Sequence, residues 1–120
     1  MQQYFIRFPF LRKRIIFTGQ IENKADLIRE YQLAKIFTLT SRVEGGTPNV
    51  IAESLFSGCY QVLTNFDAAS EATDNGQCGV VVRDIKDLED KLLLLCNDDR
   101  RLLEGGRNAI DFAKKIMILI

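Results

Sequence analysis

Four short apolar runs alternate with segments of helical periodicity along this chain of 120 residues. Each run is bounded by polar or glycine-containing segments, which is typical of strands that are buried on both faces. Because strands that alternate with helices are joined by crossover connections, the pattern predicts an α/β fold with a Rossmann-like parallel sheet flanked by helices. The predicted strands are 15–18, 36–39, 60–63 and 79–82. The predicted helices are 26–35, 48–57, 68–73, 87–96 and a last one after residue 98, which Gly105 and Gly106 are expected to kink or break.

Size and charge limit the class of protein. The 120 residues fit one domain, predicted to span 1–120, and 16 basic residues balance 16 acidic ones. No overall field therefore attracts nucleic acid or an anionic membrane, and no apolar run approaches the ~20 residues of a membrane span. Basic residues between positions 7 and 14 alternate with aromatic ones, a pattern we interpret as ordinary surface. We expect a cytoplasmic chain with no nucleic-acid partner and no stable membrane insertion.

Histidine is absent, which excludes a Ser-His-Asp triad and any histidine-ligated metal within this chain. The three cysteines, Cys59, Cys78 and Cys96, are widely spaced and form no CxxC pair. This spacing argues against a disulfide framework and against a zinc site. We therefore predict reduced cysteines that pack in the interior, no metal site and no cofactor.

The segment 41–55 joins the second predicted strand to a helix through a loop that contains glycine. Thr47 is a preferred N-cap residue and Pro48 is preferred at the first helical position. Free backbone N–H groups are therefore expected at Asn49 and Val50. Because a helix N-terminus carries unpaired donors and a partial positive charge, it can hold a diphosphate without a dedicated lysine.

A carboxylate lies close to this predicted anion site. Glu53 shares a helix face with Asn49, four residues earlier, and Gly45 and Gly46 let the backbone approach a ligand closely. A carboxylate beside a phosphate is unfavourable unless it accepts hydrogen bonds from hydroxyl groups, which a ribose or a hexose supplies. The segment therefore predicts a nucleotide-sugar ligand.

The order and spacing of these residues resemble the carboxyl-terminal, nucleotide-sugar-binding domain of retaining glycosyltransferases of family 4, which have the GT-B fold of two Rossmann-like domains. The resemblance implies a hexosyltransferase that moves a sugar from a UDP- or GDP-linked donor to a glycan or lipid acceptor, as in polysaccharide biosynthesis. The matching positions are 16–19, Leu27, Tyr31, Ala34, 37–39, Ser41, 44–53, Gly58, Asn75, Gly76, Gly79, Asp87 and Leu88.

Residue roles follow from the resemblance. Glu44 takes the catalytic acidic position near the donor sugar, Glu53 holds the ribose hydroxyls, and residues 45–50 line the phosphate and sugar. Eight residues separate Glu44 from Glu53, whereas the family has seven, so we expect the glycine pair to bulge and let Glu44 reach the sugar.

The resemblance also implies that parts of the family's enzyme have no counterpart here. These are an arginine and a lysine that neutralise the leaving diphosphate, and an amino-terminal domain that binds the acceptor. We therefore expect a truncated donor domain, nearly inactive by itself. The full-length enzyme is expected in the cytoplasm, free or peripheral to the inner face of the membrane. A non-catalytic nucleotide-sugar-binding module and a degenerate transferase fragment stay open as alternatives, whereas a receiver-type regulatory domain is disfavoured because its acidic cluster is not evident.

Overall fold

A computed structural model describes residues 13–40 and 49–119 of the chain, with side chains as far as residue 116. Helices and strands alternate through this part. In chain order the elements are α1 (Lys24–Leu33), β1 (Ile36–Leu39), α2 (Asn49–Phe56), β2 (Tyr60–Thr64), α3 (Ala69–Ala72), β3 (Gly79–Val82), α4 (Ile85–Cys96) and α5 (Asp99–Leu119).

The described residues form one parallel sheet with the strand order β1-β2-β3. Ile36 of β1 lies opposite Tyr60 of β2, and Gln61 of β2 lies opposite Gly79 of β3. Because the strands are parallel, their carboxyl ends lie at the same edge of the sheet. The predicted α/β, Rossmann-like sheet flanked by helices is confirmed.

The first predicted strand, 15–18, is wrong. These residues have no regular secondary structure, and Ile16 and Phe17 are 84% and 61% exposed. A strand of a parallel sheet is stable when neighbouring strands pair with it and helices cover its faces. The apolar run alone indicated a strand, but the described residues do not cover its side chains.

Capping side chains set the observed starts of two helices. Asn23 Oδ1 accepts hydrogen bonds from the N–H groups of Ala25 and Asp26 at 2.9 and 3.3 Å, so α1 begins at Lys24 rather than at residue 26. Asp84 caps α4 in the same way by accepting from the N–H of Asp87 at 2.8 Å, and α4 begins two residues before its predicted start. Both cases follow the preference for Asn and Asp at the N-cap.

Two hydrophobic clusters lie on opposite faces of the sheet, because successive residues of a strand point to opposite faces. One cluster packs α2, α3 and the second half of α5 against the sheet, and the other packs α4 and the start of α5. The buried residues of the first are Ile51, Leu55, Leu63, Phe66, Ala69, Ala72, Cys78, Ala109 and Ala113. Those of the second are Tyr60, Val62, Val82, Leu95 and Leu102.

A buried polar pair joins α2 to β2. The amide nitrogen of Gln61 donates to Ser54 Oγ at 3.0 Å and to the carbonyl oxygen of Cys59 at 3.1 Å. Ser54 Oγ donates in turn to the carbonyl oxygen of Ile51 at 2.8 Å. Buried polar groups are costly unless they are paired, so this network favours one orientation of α2 on the sheet.

The glycine pair in α5 does not break the helix, contrary to the expectation from helix propensity. The helix runs without interruption from Asp99 to Leu119. A methyl group at Gly105 would overlap the ring of Tyr60, and one at Gly106 would overlap the backbone carbonyl of Gly58. The pair therefore serves close packing of α5 against the residues that lead into β2.

Gly106→Ala tests this close packing. Alanine in place of glycine usually stabilises an exposed helix interior by roughly 1 kcal/mol. Here we expect the opposite, a decrease in the free energy of unfolding of about 1–3 kcal/mol, because a backbone oxygen cannot move aside as a side chain can. Urea denaturation measures the change.

The control is Asp111→Ala, at an exposed position of the same helix, which we expect to change stability by no more than about 0.5 kcal/mol. A Gly106→Ala protein as stable as the parent chain would contradict the contact with Gly58.

Candidate functional site

The structure describes three of the predicted site residues, Asn49, Val50 and Glu53, and brings them together on α2. The remaining ones precede this helix, and their roles stay predictions. They are Glu44, Gly45, Gly46, Thr47 and Pro48, which lie outside the described residues.

The first turn of α2 supplies backbone donors beside the carboxyl end of the sheet. Asn49 is exposed, whereas the side chain of Val50 is half-buried and packs against the first hydrophobic cluster. The N–H groups of a first helical turn have no carbonyl partner within their own helix. Val50 anchors the turn on the first hydrophobic cluster through its side chain.

The Glu53 carboxylate is mostly buried, with 19% of the side chain exposed, and its two oxygens differ in environment. Oε1 accepts a hydrogen bond from Lys24 Nζ at 2.7 Å. Oε2 is buried and has no hydrogen-bond partner among the described residues. An unsatisfied buried acceptor of this kind is unfavourable in the free protein.

Sequence reasoning missed two neighbours of Glu53, Lys24 and Tyr31, which both belong to α1. Burial raises the pKa of the Tyr31 hydroxyl, and the Glu53 carboxylate raises it further through its negative charge and through its side-chain interaction with that hydroxyl. Its ring packs edge-to-face on Phe37, with the ring centroids 5.9 Å apart. Lys24 and Tyr31 are seven residues apart and therefore share a face of α1. This spacing is the sequence signal that could have placed the two side chains together.

The carboxyl edge of the sheet also borders a cavity of about 600 Å³. The cavity is lined by residues at the ends of all three strands: Thr40 follows β1, Thr64 ends β2 and Arg83 follows β3. Asn65 and Ile85 also line it. Open parallel sheets bind their ligands at this edge. The cavity therefore lies at the edge where such sheets bind ligands, although none of its described lining residues belongs to α2.

Arg83 is held at this edge by Asp87. The backbone N–H of Arg83 donates to Asp87 Oδ2 at 2.9 Å, and its guanidinium Nε approaches the same oxygen at 3.4 Å. Lys91 Nζ donates to the other oxygen at 3.3 Å. The backbone hydrogen bond, followed by the guanidinium contact, lowers the pKa of Asp87 to about 2. The Arg83 side chain itself stays 84% exposed.

The three cysteines differ in their exposure. Burial raises the pKa of Cys59 to about 11 and, with the charge of Asp74, that of Cys78 to about 12. Cys96 is exposed, contrary to the packing expectation. Within residues 13–40 and 49–119 no three potential metal ligands come together, and no helix is long and apolar enough to cross a membrane.

Comparison with known protein families identifies a relationship for most of the chain. The family model described as Glycosyl transferases group 1 matches residues 3–98. The match extends from before α1 to the end of α4 and includes Lys24, Tyr31 and Glu53. None of the curated proteins matches the chain.

The lowered pKa of Asp87 predicts a dependence of stability on pH. Its folded value of about 2 lies below the ordinary value of 3.8. Because the pKa of Asp87 is lower in the folded chain than in the unfolded chain, its carboxylate stabilises the fold when the pH is above the unfolded pKa. This stabilisation is lost as the pH falls towards the folded pKa. We expect the free energy of unfolding to fall between about pH 4 and pH 2, and Asp87→Asn to make this fall smaller. Urea denaturation over a pH series measures it.

The control is Asp90→Asn on the same helix, where the carboxylate is 52% exposed and pairs only with Lys86 among the ion pairs of the described residues. We expect it to leave the pH profile of the parent chain unchanged. Identical profiles for the Asp87 variant and the parent chain would contradict the assignment.

Proposed function

Because the chain belongs to the group 1 glycosyltransferases, we propose that it is the donor-binding part of a retaining hexosyltransferase of family 4. The donor is a nucleoside-diphosphate sugar, UDP- or GDP-linked, and the acceptor is a glycan or a lipid. The enzyme acts in the cytoplasm, free or peripheral to the inner face of the membrane.

The observation that carries the proposal is the unsatisfied Oε2 of Glu53 on the helix that begins at Asn49. An ionised phosphate only accepts hydrogen bonds and is repelled by a carboxylate, so it is favoured at the N-terminus of α2 instead. A ribose donates from vicinal hydroxyls, which a carboxylate oxygen accepts. A nucleoside diphosphate carries both groups next to each other, and Asn49 and Glu53 lie about 6 Å apart along the helix axis.

In the proposed reaction the bond between the sugar and the diphosphate breaks, and a bond to an acceptor oxygen forms while that oxygen loses its proton. Negative charge then grows on the diphosphate, and the N–H groups and the dipole of α2 stabilise it. By resemblance, Glu44 contacts the donor sugar. Positioning an acceptor and excluding water need a second wall that faces α2, so we propose that these 120 residues bind the donor but transfer its sugar poorly.

A non-catalytic binding module, or a degenerate transferase fragment, is the second candidate. The additional loop residue between Glu44 and Glu53 favours this second candidate. It changes the spacing of the two carboxylates from the spacing in the family that the chain resembles. Such a protein would bind the same nucleotides, and the complete protein would transfer no sugar. Donor turnover by the complete protein therefore separates the two candidates.

Nucleotide binding tests the shared part of both candidates. We expect UDP or GDP, titrated into the isotope-labelled chain, to shift the amide resonances of Asn49 and Val50. Glu53→Gln should raise the dissociation constant about tenfold, because a neutral amide oxygen is a weaker acceptor than a carboxylate. Two-dimensional NMR measures both effects.

Glu89→Gln, the same change at an exposed position of α4, is the matched control and should bind like the parent chain. The proposal would be overturned if UDP, GDP and ADP all failed to shift the amide resonances of a folded chain.

A further inference from the structure

Glu53 is held by a residue that the resemblance does not provide. We infer that Lys24 is a positioning residue for the donor site, because it fixes the Glu53 carboxylate so that Oε2 faces the ribose hydroxyls. This inference rests on the proposed function, in which those hydroxyls are the ligand of Oε2.

The Lys24–Glu53 contact stands out among the ion pairs of the described residues. At 2.7 Å it is the shortest, since the others range from 3.0 to 3.8 Å. Most of those others join residues four apart on one helix, whereas this pair bridges the first residue of α1 and the second turn of α2. It therefore joins the two helices at the site.

Stability alone does not account for this pair. Lys24 is 67% exposed, and ion pairs with an exposed partner contribute little to folding. The same arrangement leaves Oε2 buried without a partner among the described residues, which is unfavourable in the free protein. Unsatisfied buried acceptors of this kind call for an explanation such as a ligand that completes them.

The contact has a geometric consequence. With Oε1 bound to Lys24 and the hydroxyl of Tyr31 interacting with the same carboxylate, the carboxylate has little freedom to turn about its last side-chain bond. A hydroxyl group then meets an acceptor that is already oriented, and less conformational entropy is lost on binding. Without Lys24 the same carboxylate has to be ordered by the ligand itself.

The experiment compares nucleotides with and without the ribose hydroxyls. The variants are Lys24→Met, which removes the charge, Lys24→Arg, which keeps it, and Lys35→Met as a matched control. Lys35 is a comparably exposed lysine, 74% accessible, whose 3.8 Å contact with Asp99 lies away from Glu53. The probes are UDP and GDP and their 2′,3′-dideoxy counterparts, with dissociation constants measured by NMR titration and folding checked by urea denaturation.

We expect Lys24→Met to raise the dissociation constant for the ribose nucleotide about tenfold, as for one weakened charge-assisted hydrogen bond. Its constant for the dideoxy nucleotide should stay within about twofold of the parent value, because Oε2 has no partner in that ligand. Lys24→Arg should recover most of the affinity, and Lys35→Met should bind like the parent chain.

Two results would overturn the inference while the proposed function survives. One is unchanged binding of the ribose nucleotide by a folded Lys24→Met chain. The other is an equal loss for the ribose and dideoxy forms, which would indicate that Lys24 acts on the phosphates or on the fold. If the parent chain itself binds both forms equally, or binds neither, the ribose role of Glu53 fails, and both the proposed function and the inference fail with it.

Discussion

The orientation of α2, on which the described part of the site depends, is set by the buried hydrogen bond between Gln61 and Ser54. Gln61 lies in the central strand with no exposed surface, so its amide needs partners within the protein. Ser54 and Leu55 turn towards the sheet as a result, and Glu53, one residue earlier, turns towards α1. A buried polar contact thus favours the orientation of the helix in which Glu53 meets α1.

The second helix of the site is attached to the same strand. The thiol of Cys59, directly before β2, donates to the carbonyl oxygens of Tyr31 and Ala34 at 3.1 and 3.6 Å at the end of α1. Because burial raises the pKa of this thiol to about 11, it keeps its proton and remains a donor near neutral pH. Lys24 and Glu53 therefore meet across two helices that are both fixed to the beginning of the central strand.

The local sequence pattern was sufficient to locate three of the strands and all the described helices. The apolar runs of β1, β2 and β3 and the periodicity of the helices were predicted within about two residues. The failures depend on contacts distant in sequence: residues 15–18 form no strand, and Gly105 fits against Tyr60 instead of breaking α5. In the site, Glu53 was predicted from its spacing to Asn49, but its partner Lys24 is 29 residues away, and no periodicity spans that interval.

Positive and negative groups lie close together at this site. Lys24 and Glu53 cancel each other where hydroxyls are proposed to bind, whereas the N-terminus of α2 offers partial positive charge where a diphosphate is proposed to bind. The chain as a whole has no net formal charge, so no long-range field draws an anion towards it. Under the proposed function, selectivity for a nucleoside diphosphate over a simple phosphate comes from contacts within hydrogen-bond distance, and Oε2 of Glu53 is the described atom proposed to provide it.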